Sequence, residues 1–393
     1  MNYDADMDAK LFIDSWKVDQ GTREQIKHVA QLPGVYGKAA LMPDCHSGYG
    51  VPIGCVFGTQ GVVYPSAVGV DIGCGVRLAL IDVDPASVTE EQLKRIASSI
   101  RMKVPLGRDV HTAEDEWKRS GREDAWDSII SGATPSINLV GRDQMSLGTL
   151  GGGNHFIEIQ RAGNRMGVMI HSGSRNLGHR TATYHIGVAK GLNEKWRTPI
   201  PSSWGLPMLP TGSDEGRSYL ADMEMCLTFA RINRLYILMA CLEAVGEEVG
   251  AFRDGAEVVD VHHNYAAMEN HFGKNLLIHR KGAVRARATD TVLIPGSQGT
   301  ASYVGKGLGN LDSFKSCSHG AGRQMSRSKA RDVLDLQETI DGMNATGVIH
   351  SVRTRSDLDE APGAYKDIEE VMEDQAELVK PIVRLTPMLV IKG

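Results

Sequence analysis

The sequence predicts an α+β protein in which mixed β-sheets are flanked by helices within a single large domain. Three observations favour this class: short apolar runs cut by glycine and proline, one long stretch with helical periodicity, and no compositional break along 393 residues. With 41% apolar residues, a chain of this length can bury a sizeable core without disulfides. We therefore expect residues 1–393 to fold as one domain.

The first half is predicted to contain strands followed by a helix. Residues 51–83 are apolar runs interrupted by glycine and proline, which is typical of strands joined by tight turns. Thr89 precedes Gln92 with the spacing of a capping box, so a helix is expected to begin there and to reach about Ile100. The polar stretch 107–145 is expected to form a surface excursion.

The second half is predicted to alternate between helices and strands. A buried strand over 167–170 runs into a glycine-rich loop, and helical character follows over 181–192. Four prolines predict a loop or lid over 196–216. Apolar residues recur at helical spacing over 217–249, the longest expected helix, with room for one break. Strands and turns over 258–304, a helix over 368–379 and a final strand over 388–391 complete the prediction.

Charge and cysteine usage restrict the class of protein. The 43 basic and 48 acidic residues give a net charge of −5, so any nucleic-acid contact must use a local basic patch. The six cysteines are irregularly spaced and form no CxxC pair, which indicates a reducing compartment, and we expect a cytoplasmic protein. No run of 18 apolar residues and no apolar N-terminal segment are present, so neither a membrane span nor a secretory signal is expected.

Several side chains able to bind metal lie in glycine-rich turns or at the ends of apolar runs. Asp71 and Cys74 leave one tight turn, and His155, His171 and His263 each border an apolar run. Taken singly, each is explained as a buried thiol, a turn-capping carboxylate or a core histidine. Together they supply carboxylate, thiolate and imidazole, and a thiolate can bridge two ions. Ligand softness favours zinc, whereas imidazole with carboxylate also admits manganese, and the residues do not decide between them.

A further histidine has the surroundings of a nucleophile. His319 is flanked by Gly320 and Gly322 and followed by Arg323. A neutral imidazole can attack phosphorus if its other nitrogen is held by an acceptor, and small neighbours leave room for a nucleotide. A plain phosphate-binding turn is the alternative. Two basic runs are either solvated faces or the local patch for a nucleic-acid end: Arg323, Arg327, Lys329 and Arg331, and His279, Arg280, Lys281, Arg285 and Arg287.

A series of sequence blocks identifies a family that the chain resembles. The blocks, in order, are GVDIGCG, GNHFIE, HSGSR, HHNY, RKGA, IPGS, GLGN, CSHGAGR and the closing AYKDI…VIKG. Their joint occurrence is highly specific, and they resemble the RtcB-type RNA ligases, which are GTP- and manganese-dependent enzymes of RNA repair and tRNA splicing. The resemblance extends from the first residues to the terminal Ile391-Lys392-Gly393, and it implies an RtcB-like fold.

The resemblance implies a role for each matching residue. His319 would be the nucleophile that takes GMP from GTP, and Asp44 would orient its imidazole. Two manganese ions would be held by Asp71, Cys74, His155, His171 and His263, with Cys74 bridging both and the motif favouring His263 over His262. Contacts with GTP are implied for Asn154, Phe156, Glu158, Asn264, Ser302, Gly320, Ala321, Gly322, Tyr365 and Lys392. The RNA phosphate would be held by Arg175, Lys281 and Arg327.

The implied activity is the joining of RNA ends. A 3′-phosphate, or a 2′,3′-cyclic phosphate opened to one, would be sealed to a 5′-hydroxyl through a histidine–GMP intermediate. The alternatives are a metal-dependent enzyme that guanylates 3′ ends without sealing them and a cyclic phosphodiesterase. A non-catalytic RNA-binding scaffold is disfavoured because His319 and Cys74 are both retained. RNA with these ends is the expected partner, an accessory activator protein is a further one, and no membrane partner is expected.

Overall fold

Two large sheets form the frame of the structure. A computed structural model describes residues 2–250 and 256–393, and it confirms the α+β class. The first sheet has the strands, in spatial order, β1 (Asn2–Asp4), β2 (Ala9–Leu11), β3 (Val35–His46), β4 (Ile53–Thr59), β12 (Lys274–Lys281) and β11 (Asn264–His271). Strands β2 and β3 are parallel, and the other neighbours are antiparallel.

The second sheet is antiparallel throughout and nearly closes on itself. Its strands, in spatial order, are β10 (Glu257–His262), β6 (Gly75–Ile81), β8 (Arg165–Ser172), β7 (Phe156–Ala162), β17 (Val379–Lys392), β15 (Ser302–Gly307) and β14 (Thr291–Ile294). The first strand of this order, β10, also lies against the last, β14. Two small sheets pair β13 (Ala283–Arg285) with β16 (Ser316–Ser318) and β5 (Val62–Val63) with β9 (Leu209–Pro210).

Helices cover these sheets. They are α1 (Gln20–Ala30), α2 (Glu90–Lys103), α3 (Glu114–Arg119), α4 (Arg122–Ile130), α5 (Gly141–Met145), α6 (Arg175–Trp196), α7 (Asp214–Val249), α8 (Arg327–Val333), α9 (Leu336–Ala345) and α10 (Ile368–Asp374). The predicted capping box of α2 is confirmed: Thr89 and Gln92 satisfy each other's backbone amides. Strand β17 begins at Val379, much earlier than predicted, and α10 accordingly ends at Asp374. The prediction that residues 1–393 form one domain stays a prediction.

Helix α7 is the longest helix in the described residues and has no break. By length and composition alone its 36 residues could cross a membrane. It instead packs against α2, α6, β6 and β8, and more than half of its most apolar window is buried. Asp222, Asn233 and Arg234 are buried on it as well. Because buried polar groups need partners inside the protein, these residues tie the helix to its neighbours.

The expectation of a surface excursion over 107–145 is confirmed only in part, because most of its described residues are exposed or half-buried but a few side chains are buried. This segment forms α3, α4 and α5, and its two tryptophans enter the core. Trp117 is 1% exposed, and the ring of Trp126 meets Phe229 of α7 edge-on at 6.3 Å between centroids. The polar residues dominate the local composition, but two large rings are enough to fix the segment to α7. The loop expected over 196–216 contains only a 3₁₀ turn, Ser202–Trp204, and the short strand β9.

Replacing Trp117 by alanine is expected to destabilise the protein strongly. Truncation of a fully buried tryptophan removes apolar contacts and leaves a cavity, which costs about 3–5 kcal/mol of the free energy of unfolding. Thermal and denaturant unfolding measure the loss. Met102, which is 82% exposed, gives the control Met102→Ala, for which a change within about 0.5 kcal/mol is expected. Equal stabilities of the two variants would contradict the packing of this segment.

Candidate active site

A tight turn before β6 carries the first pair of predicted metal ligands. The amide of Cys74 donates to the carbonyl of Asp71 at 3.1 Å, so both side chains leave one turn. His155 immediately precedes β7, and its Nε2 lies 3.0 Å from Asp71 Oδ2 and 3.5 Å from Cys74 Sγ. Asp71, Cys74 and His155 therefore form one group of potential ligands.

Cys74 also belongs to a second group of ligands. Its Sγ lies 3.2 Å from Nε2 of His171, and the amide of His263 donates to its carbonyl at 2.9 Å. Strand β6 pairs with β8 on one side and β10 on the other, which sets the ends of all three strands side by side. Within each group the potential ligand atoms lie within 4.8 Å of one another. The pairing that builds the sheet thus also assembles two ligand groups around one thiol.

The protonation states of these residues suit cation binding. Burial lowers the pKa of His171 and of His263 well below the ordinary value, so both imidazoles are neutral and keep a free lone pair. His155 Nδ1 lies 3.0 Å from the carbonyl of Leu150, which leaves Nε2 as the ligand atom. Nδ1 of His263 is buried and has no hydrogen-bond partner among the described residues. Burial raises the pKa of Cys74 well above normal, so the thiol loses its proton only to a cation. The donor set fits two cations that share a thiolate.

Helix α7 holds this site together, a role that the sequence interpretation missed. The buried guanidinium of Arg234 donates to the carbonyls of Gly73 and Ser172 at 3.0 and 2.9 Å and contacts Asp260 at 3.2 Å. The amide of Asn233 donates to the Ser172 hydroxyl at 3.0 Å. These bonds join the turn 71–74, here called the ligand turn, to the end of β8. The available signal was a polar Asn–Arg pair in the middle of a helix whose buried residues are mostly apolar, since polar groups are buried only where they are satisfied.

His319 follows β16 and is held by a carboxylate of β3. Its Nδ1 lies 2.6 Å from Asp44 Oδ2, and its backbone amide donates to the same oxygen at 2.9 Å. Burial opposes ionisation of Asp44, but the charges of His319 and Lys366 and the bonds from His319 bring the pKa of that carboxyl below its usual value. Gly322 has a φ of +72°, and an added Cβ would lie 2.1 Å from the Asp44 carbonyl, so only glycine allows this approach.

The exposed edge of His319 opens into a cavity beside the metal ligands. Its ring centroid lies 4.7 Å from that of His263, and its side chain is 15% exposed. The cavity has a volume of about 610 Å³, which suits a nucleotide. Residues on several elements line it, including His46, Asn154, His171, Gly320, Ala321, Gly322, Arg323, Arg327 and Tyr365.

Strands β7, β17 and β15 bring together four of the residues expected to contact guanine. Phe156 lies opposite Lys392 in the strand pair, with the ammonium 6.0 Å from the ring centroid. The amide of Gln160 donates to Glu158 at 2.7 Å and to the Ser302 hydroxyl at 3.3 Å. Burial raises the pKa of Glu158 to about 8, although Gln160 and Lys392 oppose the shift. Glu158 is therefore largely protonated at neutral pH without a ligand.

Glu360 connects this pocket to the basic residues of the cavity, and the sequence interpretation did not name it. The carboxylate is 5% exposed and accepts the hydroxyl of Tyr365. Lys392, Arg323 and Arg327 approach it at 3.6, 3.3 and 3.0 Å. Burial opposes its ionisation, but Lys392, Tyr365 and the two arginines bring its pKa below normal. Its position just before the AYKDI block was the only signal in the sequence.

The residues expected to hold the RNA phosphate have different surroundings. Arg327 lines the cavity. Lys281 is 5% exposed, donates to two backbone carbonyls of the turn 49–51, and has a pKa that burial lowers to about 8. Arg175 is held by a threonine hydroxyl at 3.1 Å and by a carbonyl at 2.9 Å. Asn264 donates to the Asp71 carbonyl at 3.1 Å and so supports the ligand turn. The roles of these four residues in binding stay predictions.

Comparison with known proteins identifies the family of the chain. A family model described as tRNA-splicing ligase RtcB matches residues 25–393. The chain is 34% identical to the RNA-splicing ligase RtcB of Escherichia coli strain K12, over 98% of this chain and 97% of that protein. It is also 34% identical to the tRNA-splicing ligase RtcB of Thermococcus kodakarensis, over 97% of this chain and 92% of that protein. The resemblance found in the sequence blocks is thereby confirmed, and the chain belongs to the RtcB family of RNA-splicing ligases.

Proposed function

We propose that this protein joins an RNA 3′-phosphate to a 5′-hydroxyl through a covalent His319–GMP intermediate formed from GTP, with two manganese ions. The observation that carries the proposal is the position of His319. Its Nδ1 lies 2.6 Å from the buried Asp44, and its ring lies 4.7 Å from that of His263 in the metal-ligand cluster. A held imidazole beside a cation site and a nucleotide-sized cavity is the arrangement that phosphoryl-transfer chemistry requires.

In the first step, Nε2 of His319 attacks the α-phosphorus of GTP. A nitrogen–phosphorus bond forms, the bond to the bridging oxygen breaks, and pyrophosphate leaves. Asp44 keeps the proton on Nδ1 and stabilises the positive charge that the ring gains as it attacks. Gly320, Ala321 and Gly322 line the cavity. The amide of Ala321 donates to the Pro295 carbonyl at 3.0 Å, so the amides of Gly320 and Gly322 are the ones proposed to bind phosphate oxygens.

The cation site is assigned to the two ligand groups. Asp71, Cys74 and His155 would hold one ion, and Cys74, His171 and His263 the other. Manganese bound there would neutralise the charge on the phosphates and on the leaving pyrophosphate. The chain's own contribution is to keep the imidazoles neutral and buried, so that both sites are formed before a cation arrives.

Guanine would lie between β7, β17 and Tyr365. Glu158 as a carboxylate would accept the N1 and N2 protons of the base, and Lys392 would donate to O6. Phe156 and Tyr365 offer apolar ring faces. The Lys392–Glu360 pair supports this assignment, because it fixes the ammonium at 3.6 Å from a carboxylate while leaving donors for a ligand.

Two further steps complete the reaction. An oxygen of the RNA 3′-phosphate attacks the phosphorus held on His319, which restores the free imidazole and leaves a GMP-activated 3′ end. The RNA 5′-hydroxyl then attacks the 3′ phosphorus, loses its proton and displaces GMP, so a phosphodiester joins the two ends. A 2′,3′-cyclic end is first opened by water. Arg175, Lys281 and Arg327 are the groups assigned to the RNA phosphate. RNA repair or tRNA splicing in the cytoplasm is the proposed setting, with an accessory activator as a further partner.

Mass spectrometry after incubation with GTP and manganese tests the proposal. Trypsin cleavage after Lys315 and Arg323 would release one peptide that contains His319, and the GMP adduct is expected on this peptide alone. An adduct elsewhere would contradict the assignment. A ligation assay separates sealing from the alternatives when 5′-hydroxyl RNA is offered with 3′-phosphate RNA and, in parallel, with 2′,3′-cyclic phosphate RNA. A capping enzyme accumulates guanylated ends, and a phosphodiesterase only opens the cyclic ends.

Guanosine binding is expected to strengthen as pH rises toward the pKa of Glu158. Burial raises that pKa to about 8, and the base needs the ionised carboxylate as acceptor. Below the pKa the affinity should fall about tenfold for each pH unit, and above it the affinity should level off. Calorimetric titration between about pH 6 and pH 8.5 checks this while guanine N1 keeps its proton. The variant Glu158→Gln should lose the pH dependence; a flat profile in the unmodified protein would refute the idea.

A further inference from the structure

A second groove begins where the active-site cavity ends. Ser47 and Gly48 line the cavity, and the next residue, Tyr49, lines the neighbouring groove of about 330 Å³. The groove runs between the end of α6 and the loop 198–207. A single turn of the chain therefore borders both, and a strand leaving the cavity on this side would pass over Tyr49.

The turn that carries Tyr49 is firmly held. The hydroxyl of Ser47 donates to Asp19 at 2.6 Å, and the amide of Gly48 donates to the side chain of Gln25 at 3.0 Å. The side-chain amide of Gln25 donates back to the Gly48 carbonyl. The tyrosine itself is nevertheless 61% exposed. A fixed backbone that presents an open aromatic ring costs little ordering entropy when a flat ligand binds.

One part of the Tyr49 ring is covered by a glycine. Gly205 has a φ of +66°, and a Cβ added there would lie 3.3 Å from the ring and hydroxyl atoms of Tyr49. Backbone alone therefore backs the ring, and any side chain at 205 would crowd it. Because most of the residue stays open to solvent, the ring is available as a stacking platform for an unpaired base.

The charges of the groove suit a phosphate backbone. Lys190 and Arg197 line it, and neither forms an ion pair with a carboxylate in the part of the chain that the structure describes. Glu194 is the only acidic residue of the lining. In contrast, the groove beside the exposed Trp16 has more acidic than basic residues, with Asp367, Glu369, Glu370 and Asp374 against Lys17, Lys366 and Arg384. Its cations Lys17 and Arg384 are already paired with these carboxylates. Two unpaired cations beside an open ring are the elements of a single-strand nucleic-acid site.

We propose that Tyr49, Lys190 and Arg197 bind an unpaired nucleotide of the RNA strand that enters the cavity. The base stacks on Tyr49, and the adjoining phosphates lie against the two cations. This inference rests on the proposed function, and it adds a subsite outside the reacting groups. The strand that ends in the 3′-phosphate and the strand that begins with the 5′-hydroxyl share this chemistry, so the experiment must separate them.

Fluorescence anisotropy with labelled single-stranded RNA tests the subsite in the full-length protein. Tyr49→Ala is expected to weaken binding about tenfold, whereas Tyr49→Phe, which keeps the ring, should change it less than about twofold. Lys190→Ala and Arg197→Ala should each weaken binding. Each should also reduce the slope of log affinity against log salt concentration by about one. Two oligonucleotides, one with only a 3′-phosphate end and one with only a 5′-hydroxyl end available, identify the strand that uses the subsite.

The controls separate this inference from the proposed function. Tyr184 is another exposed aromatic residue, and it lies on α6. Its replacement by alanine should leave RNA binding unchanged. GMP attachment to His319 should proceed equally in Tyr49→Ala and the unmodified protein, because the reaction with GTP needs no RNA. Absence of the adduct in the unmodified protein would refute the proposed function. If the adduct forms but Tyr49→Ala binds single-stranded RNA as well as the unmodified protein does, the subsite is refuted. It is also refuted if Tyr49→Ala loses affinity for duplex RNA as much as for single-stranded RNA.

Discussion

Replacing His319 by alanine is expected to abolish both the GMP adduct and RNA sealing. The imidazole is the only group that the proposal places on the α-phosphorus, and no later step can begin without the intermediate. Removal of an attacking nucleophile lowers the rate by many powers of ten, so a loss beyond about 10⁴-fold is expected. Mass spectrometry of the tryptic peptide and a ligation assay measure the two losses.

Companion variants show whether the loss is chemical. His179→Ala changes an exposed histidine of α6 and should retain full activity. Asp44→Asn should keep the fold but slow guanylation by roughly 10³-fold, since the amide can no longer stabilise the imidazolium or fix its tautomer. A covalent GMP on His319→Ala, or normal rates in Asp44→Asn, would remove the basis of the mechanism.

Replacing Cys74 by alanine is expected to empty both cation sites at once. Its Sγ belongs to both ligand groups, 3.2 Å from His171 Nε2 and 3.5 Å from His155 Nε2, so one substitution removes a ligand from each. Metal analysis after dialysis against manganese should fall from about two ions per chain to below one. Guanylation should decline by at least about 10³-fold, because the charge of the phosphates is no longer neutralised.

The thiol also makes cation binding depend on pH. Burial places the pKa of Cys74 well above its ordinary value, so the first cation that binds must displace the thiol proton. Manganese affinity should therefore rise with pH, and a calorimetric titration in buffers of different ionisation enthalpy should detect the released proton. Cys241→Ala, a buried thiol of α7 outside the site, is the matched control and should keep both metal and activity. Full manganese content in Cys74→Ala would show that the clusters are not cation sites.

The local features of the fold could be predicted because they depend on residues that are close together in the sequence. Thr89 and Gln92 lie one helical turn apart, so their capping box can be recognised from the sequence without any tertiary structure. The apolar period of α7 is equally local, and its ends were predicted to within a few residues. The candidate catalytic and metal-binding residues could be named because they occur in short, distinctive sequence blocks.

Features that depend on distant partners and lie outside the distinctive blocks were not predicted. Trp117 lies among polar residues, and only its contact with the α7 cluster reveals that it belongs to the core. From its sequence surroundings Glu360 resembles a surface acid in a run of charges. Its carboxylate nevertheless binds Tyr365, Arg323 and Lys392, which come from different parts of the chain. Arg234 likewise reads as an ordinary helical residue until the ligand turn is packed on it. Such contacts are set by the topology of the sheets rather than by sequence spacing.

The partnership of Asp44 with His319 spans 275 positions of the chain. During synthesis β3 leaves the ribosome long before β16, so the carboxylate waits without its imidazole for most of translation. The hydrogen bond between the two side chains therefore forms only when the two ends of this long loop have come together. Because such a non-local contact must await loop closure, this topology is expected to fold more slowly than one built from local contacts.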